Sequence, residues 1–443
     1  MLVSEEQELK MGEQSAPSMK WELGGSYSDP ELESYLGNIV KEIWANSERP
    51  HLPVEFYIQN TSVPNAFALP GYVAITRGLL CDMEDEAQFA AVMGHEAGHV
   101  MARHSAQRLS RMTLQQLGLA VGSAALEGTR GGDALMTVGG LGSSLLLLKY
   151  DRNQEIQSDR LGVTYMAELG YDPHEALAAH RILEKSVDNY LQRLGKSRGE
   201  DNVISTLLST HPRTEVRLSE IQAMIAELPP YTIKGDGKFR SRFQRALKDI
   251  KAVNKIYIKY DKAEIEYQKK NFSESEALLN EAITLNSRQA PFYNLLGFVK
   301  LQQKNYPEAE KSFHKALSID SHYQPSLYGT GLLRYYEGDY NRAIEEFKKS
   351  LNEFPGDALS HFGTGKSYFS LKQYSEAIPY LGSVAQVAPK NSEVHGLLGI
   401  CYDNKGETKH AVQEYTYQLQ VAPDTDLGQH AKKRLAVLES QLK

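Results

Sequence analysis

Apolar positions in the first half of the chain change period from segment to segment. Leu32, Tyr35, Leu36, Ile39, Val40 and Ile43 recur at helical spacing behind Asp29-Pro30, a capping residue followed by a proline suited to a first helical turn. Residues 54–58 and 72–76 read as short strands. Residues 83–109 predict one long apolar helix through Phe89, Ala90, Val92, Met93 and Val100, with Asp82 or Asp85 as its N-cap. Helical patterns return over 153–169 and 212–227, so residues 1–230 are expected to be α+β, mostly helical with a small sheet. Residues 117–148 carry two apolar, glycine-rich stretches split by a polar run at 127–133. They read as a small-residue helical hairpin covering this domain, with a mobile lid or membrane-leaning loop as the alternative.

From about residue 256 the pattern repeats. Gly297, Gly331, Gly365 and Gly399 are spaced by one period, and so are Ala309, Ala343, Ala377 and Ala411. Bulky residues follow in step at Leu279, Phe313, Phe347, Leu381 and Tyr415, and Pro355, Pro389 and Pro423 close three units. Small residues let paired helices approach, bulky ones fill the gap, and proline stops the second helix. The pattern resembles the tetratricopeptide repeat. Five units fit, starting near 256, 290, 324, 358 and 392; the first has Ser275 in place of the alanine. Residues 427–442 predict an amphipathic capping helix. Such an all-α solenoid offers a concave groove for protein partners. Residues 231–255, basic and opening after Pro229-Pro230, read as a linker between the two domains.

Composition narrows the classes. A chain of 443 residues with formal net charge −7 and no basic-aromatic patch gives no reason to expect nucleic-acid binding. Cys81 and Cys401 fall in different domains and offer neither a disulfide framework nor a metal spacing. No run of eighteen apolar residues predicts a membrane-spanning helix, and the first residues lack a signal peptide's apolar core. The protein is therefore expected either in the cytosol or beyond a membrane after loss of a targeting segment.

The chemistry is concentrated in His95-Glu96-Ala97-Gly98-His99, inside the apolar helix. His95 and His99 are one helical turn apart and project from one face, which pre-positions two ligands for a zinc ion. Glu96 is placed to reach a water beside the metal and take its proton as the water attacks a peptide carbonyl. Gly98 lets another element pack closely. Two histidines a turn apart also occur on ordinary helices, so the reading needs a third ligand downstream. Glu155 fills that place, and Asp159, one turn on, is set to accept the ring N–H of a zinc histidine, most readily His95. His104, five residues past His99, is expected off the ligand face, as a structural or orienting residue. His211, in a loop before a helix with Pro212 in its first turn, is a candidate for stabilising an oxyanion or closing over the metal; Arg217 is a candidate for binding a carboxylate nearby.

Further residues carry a resemblance. The stretch Pro64-Asn65-Ala66-Phe67-Ala68-Leu69-Pro70-Gly71, continuing through Tyr72, Val73, Ala74, Ile75 and Thr76, looks like the edge-strand signature of the HtpX/BepA/CAAX-prenyl-protease metallopeptidases. His95 to His99, then Glu155 with Asp159, then His211-Pro212 with Arg217, match that family in order and spacing, and the repeats are similar to its BepA-like branch. The resemblance implies a gluzincin fold, one zinc on His95, His99 and Glu155, Glu96 as base, and His211 near the metal. It implies an extended protein or peptide substrate pairing with the strand of Tyr72, Val73, Ala74, Ile75 and Thr76. It also implies a periplasmic setting, work in outer-membrane protein quality control, and peripheral contact with the membrane or the outer-membrane assembly machinery. Relatives usually carry two glycines where this chain has Gly71 alone.

The first reading is thus a zinc endopeptidase whose repeats recruit substrates or partners. The second is an adaptor or chaperone that binds clients through the repeats, with the metal site silent or gated by His211.

Overall fold

The computed structural model describes residues 3–22, 24–108, 110, 150–197 and 215–441. It divides into two compact units, Met1–Ile265 and Glu266–Lys443.

In the first unit, helix α1 (Glu5–Glu22) precedes α2 (Pro30–Ala45), which starts as expected, with the Asp29 side chain accepting the Leu32 N–H and Pro30 in the first turn. Strands β1 (Val54–Gln59), β2 (Ala66–Leu69) and β3 (Gly71–Thr76) form one sheet in the order β1-β3-β2. β3 runs parallel to β1 and antiparallel to β2. Gly71, at φ 91°, makes the tight reversal between β2 and β3. Alternation sends Ala66, Ala68, Val73 and Ile75 into the main core with Leu36 and Val40 of α2. On the other face Phe67, Leu69 and Ala74 pack with Met19 of α1.

This topology corrects one expectation. Tyr72, Val73, Ala74, Ile75 and Thr76 form the central strand, paired on both sides, with Val73, Ala74 and Ile75 fully buried. No backbone edge is left there for a substrate strand. The strand with a described neighbour on one side only, at that end of the sheet, is β2, which the sequence reading had not separated as a strand.

A short helix α3 (Arg77–Asp82) leads into α4 (Glu86–Met101). Asp85, not Asp82, is the N-cap of α4, accepting the Gln88 N–H. The single helix expected over 83–109 is broken: α4 ends at Met101, Arg103 takes a left-handed φ of 59°, and residues 104–108 are helical again. The Arg103 guanidinium is tied to the Glu8 carboxylate at 2.7 Å and to the Val3 carbonyl at 2.8 Å, contacts that offset the ~1 kcal/mol backbone cost of that conformation. Helices α5 (Arg152–Leu169), α6 (Glu175–Arg193) and α7 (Glu215–Glu227) complete the layer around α4. The apolar hairpin expected over 117–148 lies outside the described residues.

Residues 231–255 are not a free linker. Helices α8 (Arg240–Ala246) and α9 (Lys248–Gln268) begin there, and Phe243, Leu247 and Ile250 are buried in the main core. Arg77, wholly buried, donates to Asn60 and Ser62, also bonds Asn254 of α9, and stacks 3.7 Å from the Tyr257 ring. The boundary between units falls inside α9, ten residues past the expected repeat start.

The second unit follows the period of the sequence. Its helices are α10 (Phe272–Leu285), α11 (Ala290–Gln302), α12 (Tyr306–Ile319), α13 (Gln324–Tyr336), α14 (Tyr340–Glu353), α15 (Ala358–Ser370), α16 (Tyr374–Val387), α17 (Val394–Asn404), α18 (Thr408–Val421) and the capping α19 (Asp426–Gln441). Each periodic glycine abuts the bulky residue of its own repeat: a Cβ on Gly331 would come within 2.6 Å of the Phe347 ring, and one on Gly363 of the next repeat within 2.4 Å of its other side. Phe347 is thus held between two pairs and fully buried. A second series escaped the sequence reading: Lys270, Lys304, Gly338, Lys372 and Gly406 all have positive φ, between 59° and 81°, at the turn inside each pair. Cys81 and Cys401 are buried free thiols. Among the described residues no helix is long and apolar enough to cross a membrane.

Candidate metal centre

The site is built where α4 crosses α5. The contact is made by residues without bulk: a Cβ on Gly98 would lie 2.8 Å from the Ser158 Cα, one on Gly94 3.1 Å from the Gly162 Cα, and one on Gly162 2.9 Å from the His95 nitrogen. The backbones therefore approach closely enough for a first-turn residue of α5 to meet the imidazoles of α4. That first turn is fixed by a capping box, in which Asp151 accepts the Gln154 N–H while the Gln154 side chain reaches back to the Asp151 N–H. Glu155 comes next.

His95, His99 and Glu155 converge. Their ligand atoms all lie within 4.8 Å of one another. His95 Nε2 is 3.1 Å from His99 Nε2 and 3.7 Å from a Glu155 oxygen; His99 Nε2 is 3.4 Å from the other Glu155 oxygen. Tetrahedral donors at ~2.0–2.1 Å from one ion stand about 3.3 Å apart, so the two ring nitrogens and the Glu155 carboxylate are close to the spacing a single small cation requires. His99 and Glu155 are almost wholly buried, and His95 is partly open.

Asp159 lies directly behind His95. Its Oδ1 lies 2.7 Å from His95 Nδ1, so the ring presents Nε2 towards Glu155. Burial alone would raise the Asp159 carboxyl, but His95, His180 and Arg217 outweigh burial and hold it well below the usual carboxylate range. Arg217 does bind carboxylates, and they belong to this site. It donates to both Asp159 oxygens at 2.7 and 2.8 Å and lies 2.5 Å from Glu155. With Glu96 included, three carboxylates face one guanidinium among these residues, an excess of negative charge that a divalent cation would balance.

His104 is buried and away from the ligand position, as expected, but not by simple rotation on a long helix. The break at Arg103 turns it back, so that its Nδ1 lies 2.9 Å from His99 Nδ1. His180 of α6 was not foreseen. Its Nε2 is 3.4 Å from Asp159, and nothing near it in sequence marks it, because α6 meets the site only in the fold. Glu96 and His95 open onto a cleft walled by Pro64, Asn65 and Ala66 on one side and by apolar side chains including Val163, Leu183 and Ile221 on the other. His211 lies outside the described residues.

A comparison with known families covers the same part of the chain. The family described as Peptidase family M48 matches residues 30–225, the stretch that contains the candidate ligands His95, His99 and Glu155, together with Asp159 and Arg217. Residues 30–225 are a domain of peptidase family M48.

Downstream of the M48 domain, a family described as Tetratricopeptide repeat matches residues 368–435, and one described as Anaphase-promoting complex, cyclosome, subunit 3 matches residues 302–384. The M48 domain is followed by tetratricopeptide repeats. Among curated proteins, the Putative beta-barrel assembly-enhancing protease of Vibrio cholerae is 26% identical over 281 residues, covering 58% of this chain and 56% of the relative. The Mitochondrial metalloendopeptidase OMA1 of Arabidopsis thaliana is 30% identical over 215 residues, covering 48% of this chain and 40% of the relative. The chain thus spans about half the length of the curated relatives it matches. Among solved structures, the tetratricopeptide-repeat protein YrrB is 21% identical, with a TM-score of 0.35, over 43% of this chain and 97% of its own.

Proposed function

We propose that the protein is a zinc-dependent endopeptidase that cleaves extended segments of protein substrates, with His95, His99 and Glu155 as ligands and Glu96 as general base. The observation that carries this reading is the convergence of the three ligand atoms beside a cleft that Glu96 also lines. A zinc ion held there would acidify water and polarise the scissile carbonyl. Glu96, next to His95 on the same helix, accepts the proton of the attacking water on its carboxylate and returns it to the departing amine. Asp159 and Arg217 hold His95 and Glu155 in place, and both also line the cleft. The cleft's apolar wall at Val163, Leu183 and Ile221 suits an uncharged aliphatic side chain next to the cleaved bond. The substrate backbone runs along Asn65 and Ala66, at the start of the outer strand β2, rather than along β3.

The names of the bacterial relatives and the family resemblance support a setting in the cell envelope, in the periplasm, with work in quality control of outer-membrane proteins. The repeats recruit the substrates or partner proteins, assembly machinery at the membrane among them. Purified protein tests the enzymatic core of this reading. The expected result is one zinc per chain and cleavage of unfolded casein, which Glu96→Gln reduces by roughly 10²–10⁴-fold while the zinc is retained. Zinc-loaded wild type that leaves casein intact would favour the adaptor or chaperone instead.

A further inference from the structure

The two histidines of the centre are oriented by different neighbours: His95 Nδ1 meets Asp159 at 2.7 Å, whereas His99 Nδ1 meets the ring of His104 at 2.9 Å. We propose that His104 is the positioning residue for the second metal ligand and fixes the tautomer of His99. The inference rests on the reading of His95, His99 and Glu155 as metal ligands.

The proton positions follow from the geometry. Two ring nitrogens 2.9 Å apart share one hydrogen, so one donates and the other accepts. His99 Nε2 is the atom turned towards His95 Nε2 and Glu155. A neutral imidazole that ligates through Nε2 carries its hydrogen on Nδ1. His99 is therefore the donor and His104 Nδ1 the acceptor. The His104 hydrogen then sits on its own Nε2, which lies 3.1 Å from Gln157 Oε1, an acceptor. The Ser158 hydroxyl, 3.4 Å from His104 Nδ1, faces the same accepting nitrogen. His104 is wholly buried.

Gln157 stands between Glu155 and Asp159 on α5. One helix thereby supplies a ligand directly, orients His95 through Asp159, and orients His99 through Gln157 and His104. The break after Met101 is what allows this, because a continuous α4 would carry His104 away from His99.

The test is zinc affinity of the full chain, measured by competition with a chromophoric chelator. His104→Leu removes the acceptor and should weaken zinc binding about 10–100-fold. His104→Asn places an amide oxygen where Nδ1 stands and should stay within about threefold of wild type. The visible spectrum of the cobalt-substituted protein should match wild type for His104→Asn and differ for His104→Leu. Thermal unfolding of the metal-free variants checks that both fold. Equal losses for the two variants, or wild-type affinity in His104→Leu, overturn the proposal. Wild type that takes up no zinc, or a Glu155→Gln variant that binds as tightly as wild type, overturns the metal reading itself.

Discussion

Arg217 is where electrostatics decide most at the level of single residues. It is 2% exposed and bridges Asp159 and Glu155, two carboxylates one turn apart on α5. Buried ion pairs rarely add net stability over apolar packing, but removing one partner strands the other and costs about 3–5 kcal/mol. Arg217→Met should therefore destabilise the metal-free protein by about that amount, measured by urea unfolding in the presence of a chelator. Zinc brings positive charge to the same carboxylates, so the loss should shrink when the metal is present. An equal loss with and without zinc would show that Arg217 acts through packing alone. His180 completes this cluster from α6, and burial draws its ring below the usual histidine range. Of these residues, His95 with His99 and Glu155 with Asp159 were legible in the sequence because helical spacing puts each pair on one face, and Glu96 was legible from its place between the two histidines. His180 was not, because its meeting with Asp159 is made by the packing of a third helix.

Among the elements, the crossing of α4 and α5 sets the metal geometry. Ligand separations of 3.1 to 3.7 Å leave little tolerance, and the glycines keep the helices at the distance that produces them. Gly98→Ala would place a methyl group 2.8 Å from backbone, so the helices must separate. The expected result is a stability loss of about 1–3 kcal/mol and a fall in zinc affinity of at least roughly tenfold. Gly382→Ala is the control. It lies within α16 with nothing within 4 Å of the added Cβ, and should stabilise by about 0.5–1 kcal/mol while leaving zinc binding unchanged. A Gly98→Ala variant that binds zinc normally would mean that α5 adjusts without moving Glu155. Gly98 stood out in the sequence because it sits inside the motif. The break at Arg103 did not, because helical periodicity runs on through 104–108 and only the contacts of Arg103 with Glu8 and Val3 favour the left-handed turn. Likewise, the strand patterns at 54–58 and 72–76 marked two strands, but a strand's place at the centre or edge of a sheet depends on pairing, which no local pattern encodes.

For the whole molecule, the repeat half was legible almost residue by residue, since each pair uses the same glycine, alanine and bulky positions and buries them against its neighbours. The first half was legible in its motifs and not in its limits. Phe243, Leu247 and Ile250 belong to its core but lie in a basic, proline-led stretch that reads as a linker. The two units have separate hydrophobic clusters, the first around Phe89, Met93 and Phe243, the second around residues such as Leu381 and Leu398. All three proposed metal ligands fall in the first. A ligand that binds only the folded form stabilises the cooperative unit that contains its site, by about 2.7 kcal/mol at a hundredfold excess over Kd. Calorimetry of the full chain should therefore resolve two transitions, of which zinc raises one and a chelator lowers the same one. The transition that does not respond belongs to the repeats and should instead fall when Phe347→Ala empties the space between Gly331 and Gly363, at a cost of about 3–5 kcal/mol. If zinc and Phe347→Ala move one shared transition, the chain unfolds as a single cooperative body.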